Sequence, residues 1–271
     1  MPLANVNGVD LFFDQTGSGE PLLFHHGYTG SHDSWAGIVD RLQDRYQCTV
    51  MDCRGAADSA HPDDGYTVQQ MADDVIGMTD HLGLDTFTYI GHSMGGVIGM
   101  QLGLEYADRL TKLILVAPAP ADGIAIPDEM RAEYRKPWDD KDHDALLRRQ
   151  LAGNAREYGA DNVGAQVDRA LSVSPGHYDG CWDSLVDFSR GDELANIQTP
   201  TLMIAGAADS LITANLKDFQ RLPNASLHVF SRVSHQVPRE VPAAMARVIA
   251  DFAEHGVVTA QTLAQDALTK A

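Results

Sequence analysis

Residues 87–96 of this 271-residue chain read Phe-Thr-Tyr-Ile-Gly-His-Ser-Met-Gly-Gly. The first four residues favour a strand, and several turns of helix-compatible sequence follow Ser93. A serine between Gly91 and Gly95 at a strand–turn–helix junction is typical of a nucleophile elbow, whose turn holds the serine in a strained backbone conformation. The alternative is a glycine-rich turn in which the serine only caps the helix. The first interpretation predicts a Ser93 hydroxyl raised above a sheet, at the positive end of a helix.

Short apolar runs alternate with amphipathic stretches along most of the chain. This alternation requires crossover connections and therefore predicts an α/β fold with a largely parallel sheet. The run Leu-Ile-Leu-Val at residues 113–116 is typical of a parallel strand buried on both faces. The predicted strands are residues 11–13, 22–25, 48–51, 87–90, 113–116, 202–205 and 227–230, and the predicted helices are 68–82, 94–107, 213–222 and 241–254.

The alternation stops after residue 116 and resumes at residue 202. No convincing strand lies between about residues 122 and 193, and an unstructured loop of that length is improbable. We therefore expect a core formed by residues 1–121 and 194–271, with a mostly helical insertion at residues 122–193. Residues 257–271 predict a short helix or a frayed end.

Composition and charge argue against several classes of protein. Lys and Arg number 20 against 38 Asp and Glu, and a net charge of −18 disfavours nucleic acids and anionic membranes as partners. No apolar run approaches the roughly 20 residues of a membrane-spanning helix, and the first residues lack the pattern of a secretory signal. The three cysteines match no zinc-ligand spacing and predict reduced thiols in a cytoplasmic protein.

A serine hydroxyl is a poor nucleophile at neutral pH, so a base is needed beside Ser93. His235 is the best candidate because it follows the strand at residues 227–230, and loops at the carboxyl ends of parallel strands meet at one edge of a sheet. Asp209 follows the strand at residues 202–205 in the same way and could orient the imidazole. Asp122, after the strand at residues 113–116, is the second choice for this carboxylate.

The elbow and the chain order Ser93, Asp209, His235 resemble the α/β-hydrolase family. The resemblance covers nearly the whole chain and implies a mostly parallel sheet of about eight strands flanked by helices. It also implies that residues 122–193 form the lid, or cap, of this family.

Two loops extend the resemblance. His26-Gly27-Tyr28 is similar to the family's His-Gly-x motif, which implies an oxyanion hole formed by the backbone N–H groups of Tyr28 and Met94. Residues 52–55, Asp-Cys-Arg-Gly, are similar to the family's Asp-x-Arg-Gly loop, in which we expect the carboxylate and the guanidinium to form a structural pair. Many members have a second glycine where this chain has Ala57, so the conformation of that loop stays open.

These features imply a serine hydrolase of carboxylic esters or lactones with small to medium apolar acyl groups, similar to bacterial esterases and acyl-homoserine-lactone hydrolases. A carbon–carbon bond hydrolase, a cofactor-free perhydrolase or an amidase could use the same three residues, and a ligand receptor on the same scaffold is an alternative of a different class. We expect a small-molecule ester or lactone as the partner, and no cofactor or metal, because the local histidines do not match the His-x-His-x-Asp-His pattern of metal-dependent lactonases. The residues expected to shape the acyl pocket are Tyr28, Met130, Tyr134, Trp138 and Trp182.

Overall fold

The computed structural model describes residues 2–156, 160–259 and 262–263. Within these residues the centre of the molecule is an eight-stranded sheet with the order β1-β2-β4-β3-β5-β6-β7-β8. The strands are β1 (Leu3–Val6), β2 (Val9–Thr16), β3 (Glu20–His25), β4 (Tyr46–Met51), β5 (Phe87–His92), β6 (Leu110–Val116), β7 (Thr201–Gly206) and β8 (Ala225–Phe230).

The pairs from β4 through β3 to β8 are all parallel, which confirms the predicted mostly parallel sheet. Only β1 and β2 run antiparallel to their neighbours. We did not predict β1, although Asn7-Gly8 between two short strands is a strong signal for a two-residue hairpin turn. Both turn residues have the positive φ that such a turn requires, 50° for Asn7 and 80° for Gly8.

Helices cover both faces of the sheet because successive side chains of a buried strand point in opposite directions. Leu23 and Tyr89 belong to the core on one face, while their neighbours Phe24 and Ile90 belong to the core on the other. The helices are α1 (Ala36–Leu42), α2 (Val68–His81), α3 (Met94–Glu105), α4 (Asp128–Asp139), α5 (His143–Gly153), α6 (Ala160–Ser172), α7 (Trp182–Asp187), α8 (Ile212–Arg221), α9 (Val237–Glu240) and α10 (Pro242–His255). Helices α2 and α3 contribute to the first core, and α1 and α10 to the second.

The segment between β6 and β7 carries α4 to α7, and its described residues contain no strand. Its helical character therefore agrees with the sequence, whereas the division into a core and a cap at residues 122–193 stays a prediction. Of the predicted C-terminal helix or frayed end, only residues 257–259 and 262–263 are described, and the rest lies outside the described residues.

The three cysteines, Cys48, Cys53 and Cys181, are buried free thiols. The cytoplasmic location that they suggest stays a prediction. Among the described helices, none is both long enough and apolar enough to cross a bilayer.

Candidate active site

Ser93 lies between β5 and α3 with φ 55° and ψ −110°, a backbone conformation that residues other than glycine rarely adopt. The two flanking glycines make this turn sterically feasible. A Cβ on Gly91 would lie 2.0 Å from the carbonyl oxygen of Gly95, and a Cβ on Gly95 would lie 2.6 Å from that of His25. The strand, the turn and the helix therefore meet as the sequence predicts.

Ser93, His235 and Asp209 lie in one hydrogen-bonded chain. The Ser93 Oγ is 2.9 Å from the His235 Nε2, and the His235 Nδ1 is 2.8 Å from the Asp209 Oδ2. His235 is supplied by the loop after β8 and Asp209 by the loop after β7. A carboxylate can only accept, so the Nδ1–H donates to it and the Nε2 accepts the serine hydroxyl. This arrangement can remove a proton from Ser93.

The Asp209 carboxylate is almost fully buried, with 1% of its side chain exposed. Burial raises the pKa of Asp209, but the hydrogen bond from His235 and the electrostatic interaction with its ring, together with the Leu211 N–H, outweigh it and lower the pKa below its ordinary value. Its second oxygen accepts that Leu211 N–H at 3.0 Å. Asp209 is therefore ionised at neutral pH.

Asp122, the second choice for this carboxylate, is not part of this chain. Its oxygens instead bind Lys217 and Arg221 on α8, at 2.7 and 2.9 Å.

Two residues that we did not single out brace the loop of His235. The His92 Nε2 donates to the carbonyl oxygen of His235 at 2.8 Å, and the two rings lie 4.9 Å apart. Burial, followed by repulsion from His235, lowers the pKa of His92 to about 3, so this imidazole stays neutral. The buried Glu240 carboxylate accepts the Ser234 N–H at 3.2 Å. The only sequence signal for His92 is its place at the variable position of the Gly-x-Ser motif. No sequence signal points to Glu240.

The candidate oxyanion donors belong to peptides beside Ser93. Met94 is the first residue of α3, so its N–H has no acceptor within the helix. A Cβ on Gly27 would lie 3.0 Å from the Ser93 Cβ, which places the peptide that precedes Tyr28 against the serine. The oxyanion hole formed by the N–H groups of Tyr28 and Met94 stays a prediction.

The Tyr28 side chain is held by the segment between β6 and β7. Its hydroxyl donates to the carbonyl oxygen of Tyr178 at 2.5 Å, and its ring is stacked near His177, with the centroids 6.0 Å apart. Burial raises the pKa of Tyr28 well above its ordinary range, so the phenol keeps its proton.

Two adjoining cavities open beside the His235 imidazole. The larger, about 610 Å³, is lined by Ser93 and by apolar residues that include Ile124 and Leu185. The smaller, about 420 Å³, lies mainly between α4, α5 and residues 178–182, which lead into α7. The residues that line both are Tyr28, Tyr134, Arg149, Trp182, Ser210 and His235.

Four of the five residues expected to shape a pocket line these cavities. Tyr28, Tyr134 and Trp182 line both, and Trp138 lines the smaller one. Met130 lines neither cavity and is 43% exposed, because the face of α4 that borders the smaller cavity does not include it.

Three arginines also line the smaller cavity: Arg131, Arg135 and Arg149. Sequence reasoning missed them because arginines are common on helix surfaces and no motif surrounds these three.

The loop after β4 differs from our expectation that Asp52 and Arg54 form a pair. Arg54 instead binds the buried Asp74 of α2 through two hydrogen bonds of 2.7 Å. Asp52 accepts the backbone N–H of His32 at 2.7 Å and its Nδ1 at 2.8 Å. The two side chains therefore brace different neighbours. Ala57 has φ 47°, so it adopts the conformation for which a glycine would be favoured.

One group of potential metal ligands occurs in the described part of the chain, where His32, Asp52 and Asp58 bring ligand atoms within 4.8 Å of one another. These atoms already have partners: the His32 Nδ1 bonds Asp52, and Arg169 lies 3.2 Å from the Asp58 carboxylate. Internal hydrogen bonds and this ion pair account for the cluster.

Comparisons with known proteins agree with the observed fold. A family model described as alpha/beta hydrolase fold matches residues 20–237. The chain is similar to a non-heme haloperoxidase of Rhodococcus erythropolis, with 27% identity over 259 residues, 87% of this chain and 93% of the relative.

Two solved structures are similar over nearly their full length. The enol-lactonase from Burkholderia xenovorans LB400 gives a TM-score of 0.84 at 22% identity, covering 94% of this chain and 100% of that one. An N-acyl homoserine lactone degrading enzyme gives a TM-score of 0.80 at 25% identity, covering 93% and 100%. Because the family model spans most of the sequence and the sheet has the predicted topology, the chain belongs to the alpha/beta hydrolase fold family.

Proposed function

We propose that the protein is a serine hydrolase that cleaves carboxylic esters or lactones through an acyl-enzyme. The observation that carries the proposal is the continuous hydrogen-bonded chain from the Ser93 Oγ through His235 to the buried Asp209 carboxylate. Nucleophile, base and orienting acid within hydrogen-bond reach are the combination that acyl transfer requires.

In the proposed reaction, the Ser93 oxygen attacks the acyl carbon while its proton passes to the His235 Nε2. Asp209 holds the imidazole in the tautomer that can accept this proton and stabilises the resulting imidazolium. The backbone N–H groups of Tyr28 and Met94 stabilise the oxyanion. His235 then protonates the leaving alkoxide, or the ring oxygen of a lactone. A water molecule deprotonated by His235 releases the acid from Ser93.

The larger cavity supports this substrate class. Its volume of about 610 Å³ lies within the usual range for small-molecule sites, and the apolar side chains that line it suit an acyl chain. Two structural neighbours, an enol-lactonase and an N-acyl homoserine lactone degrading enzyme, support lactones as one branch of the substrate class.

The decisive experiment compares the protein with its Ser93→Ala and Asp209→Asn variants on p-nitrophenyl esters and acyl lactones. We expect Ser93→Ala to lose turnover while keeping its fold, because Ser93 is only partly buried. Asp209→Asn should lower kcat by about 10⁴, the order seen when an asparagine replaces a triad aspartate. Ester turnover retained by Ser93→Ala would refute the proposal, and ligand binding without consumption would favour a receptor.

Perhydrolysis is the second candidate, and the haloperoxidase relative favours it. In this reaction hydrogen peroxide would replace water in attacking the acyl-enzyme, giving a peracid and free Ser93. Peracid formation from acetate and peroxide that exceeds ester hydrolysis would make this the principal activity.

A further inference from the structure

The cavities carry positive charge on a strongly acidic protein. The chain has a net charge of −18. The formally charged residues that line the smaller cavity, apart from His235, are Arg131, Arg135, Arg149 and Asp179. A local excess of cations within an otherwise negative surface attracts an anion to that place and not to the rest of the molecule.

Arg149 differs from the other two arginines in its partners. Arg131 forms an ion pair with Asp183, and Arg135 forms ion pairs with Asp139 and Asp179. The Arg149 guanidinium donates to the carbonyl oxygen of Tyr134 at 3.0 Å and lies 5.3 Å from the centre of the Tyr134 ring.

No carboxylate pairs with Arg149 among the described residues. Since a guanidinium has five N–H donors, most of its hydrogen-bonding capacity is available to a ligand.

Arg149 also reaches the cavity that contains the nucleophile. It is the only residue with a permanent charge among the described residues that line the larger cavity. Trp182, which lines both cavities, has an indole N–H that is buried without an acceptor in the described part of the chain. Arg149 therefore presents unused donors to the cavity that contains Ser93.

We propose that Arg149 binds a carboxylate carried by the substrate at a distance from the scissile carbonyl. The substrate class is then an ester or lactone with a second, anionic end, which places the acyl carbon at Ser93 while the carboxylate pairs with the guanidinium. A carboxylate matches the planar fork of arginine through two parallel hydrogen bonds. This inference rests on the proposed function, because the carboxylate is defined by its position relative to the bond that Ser93 attacks.

The test uses two esters of equal length: mono-p-nitrophenyl glutarate and p-nitrophenyl pentanoate, which has a methyl group in place of the carboxylate. We expect Arg149→Met to lower the ratio of kcat/KM for glutarate over pentanoate at least tenfold, the loss typical of a hydrogen bond to a charged group. Arg148→Met is the matched control, since Arg148 is an exposed neighbour on α5 outside both cavities. Arg149→Lys should keep part of the preference.

Salt supplies a second check on the same ratio. Because Arg149 is exposed, added salt should reduce the preference for glutarate in the unmodified protein and leave that of Arg149→Met unchanged. An unchanged ratio in Arg149→Met, or an equal loss in Arg148→Met, would overturn the inference.

A binding measurement separates this inference from the proposed function. Glutarate itself is titrated into the Ser93→Ala variant by calorimetry, with and without Arg149→Met. If the unmodified protein hydrolyses neither ester, the proposed function fails. The binding of glutarate then decides separately whether Arg149 forms an anion site. Affinity that falls at least tenfold with Arg149→Met supports the anion site, whereas absent or unaffected binding refutes it.

Discussion

Replacing His92 with leucine tests whether the position of the His235 imidazole depends on the hydrogen bond from His92 to the His235 carbonyl oxygen. His92 is 5% exposed and donates to the carbonyl oxygen of His235 at 2.8 Å. Burial lowers the pKa of His92 to about 3, so the ring is neutral and the hydrogen bond is present across the working pH range. The His92→Leu variant removes the donor and leaves this carbonyl oxygen without its partner.

The expected magnitude follows from that lost bond. A buried acceptor left unsatisfied costs about 1–3 kcal/mol. If this cost falls on the loop that holds the His235 ring against Ser93, kcat drops by about 5- to 150-fold, since about 1.4 kcal/mol corresponds to a factor of ten. KM should change less than kcat, because the lost hydrogen bond acts on the loop that holds His235.

The assay is steady-state hydrolysis of a p-nitrophenyl ester, with urea unfolding of each variant alongside. The His92→Gln variant is the matched control, because its amide N–H can reach the same carbonyl oxygen and should restore most of kcat. An unchanged kcat in His92→Leu, or equal losses in the leucine and glutamine variants, would refute the positioning role.

Two further predictions concern stability. Gly95→Ala should lower the free energy of unfolding by about 1–3 kcal/mol or more, because the new Cβ would lie 2.6 Å from the carbonyl oxygen of His25. Gly164→Ala in α6 should raise the free energy of unfolding by about 0.5–1 kcal/mol, because a Cβ there meets nothing within 4 Å. Urea unfolding measures both changes. The second prediction concerns the pKa of His32. Burial lowers this pKa, but the hydrogen bond and the charge of Asp52 outweigh burial and raise it above its ordinary value. A raised histidine pKa stabilises the fold below the unfolded value near 6.5 and loses that contribution as the pH rises through the folded value, so His32→Gln should cost more stability at pH 6 than at pH 9. An equal cost at both pH values would contradict this assignment.

The sequence contained enough local information for the elbow and the order of its partners. Gly91 is required by the nearby carbonyl oxygen of Gly95, and Gly95 by the carbonyl oxygen of His25 at the end of β3. Both requirements fall at set positions on either side of Ser93, and they therefore leave a readable motif. The strands at β5 and β6 were also predictable, because burial on both faces demands continuous apolar residues.

Contacts between distant segments decided the rest. The sequence left Asp209 and Asp122 both open, and only the packing of the loops after β7 and β8 brings the former to 2.8 Å from His235. The same holds for Arg54, whose partner proved to be Asp74 on α2 and not Asp52 in its own loop.

The arginines of the cavities illustrate the limit most clearly. In the sequence, Arg148 and Arg149 are equivalent neighbours in a charged helix. A rotation of about 100° per residue turns only one of them toward the space beside Ser93. The pattern of the chain alone therefore determined the fold and the candidate nucleophile, whereas the charge inside the cavity depends on how separate helices pack, which no local pattern records.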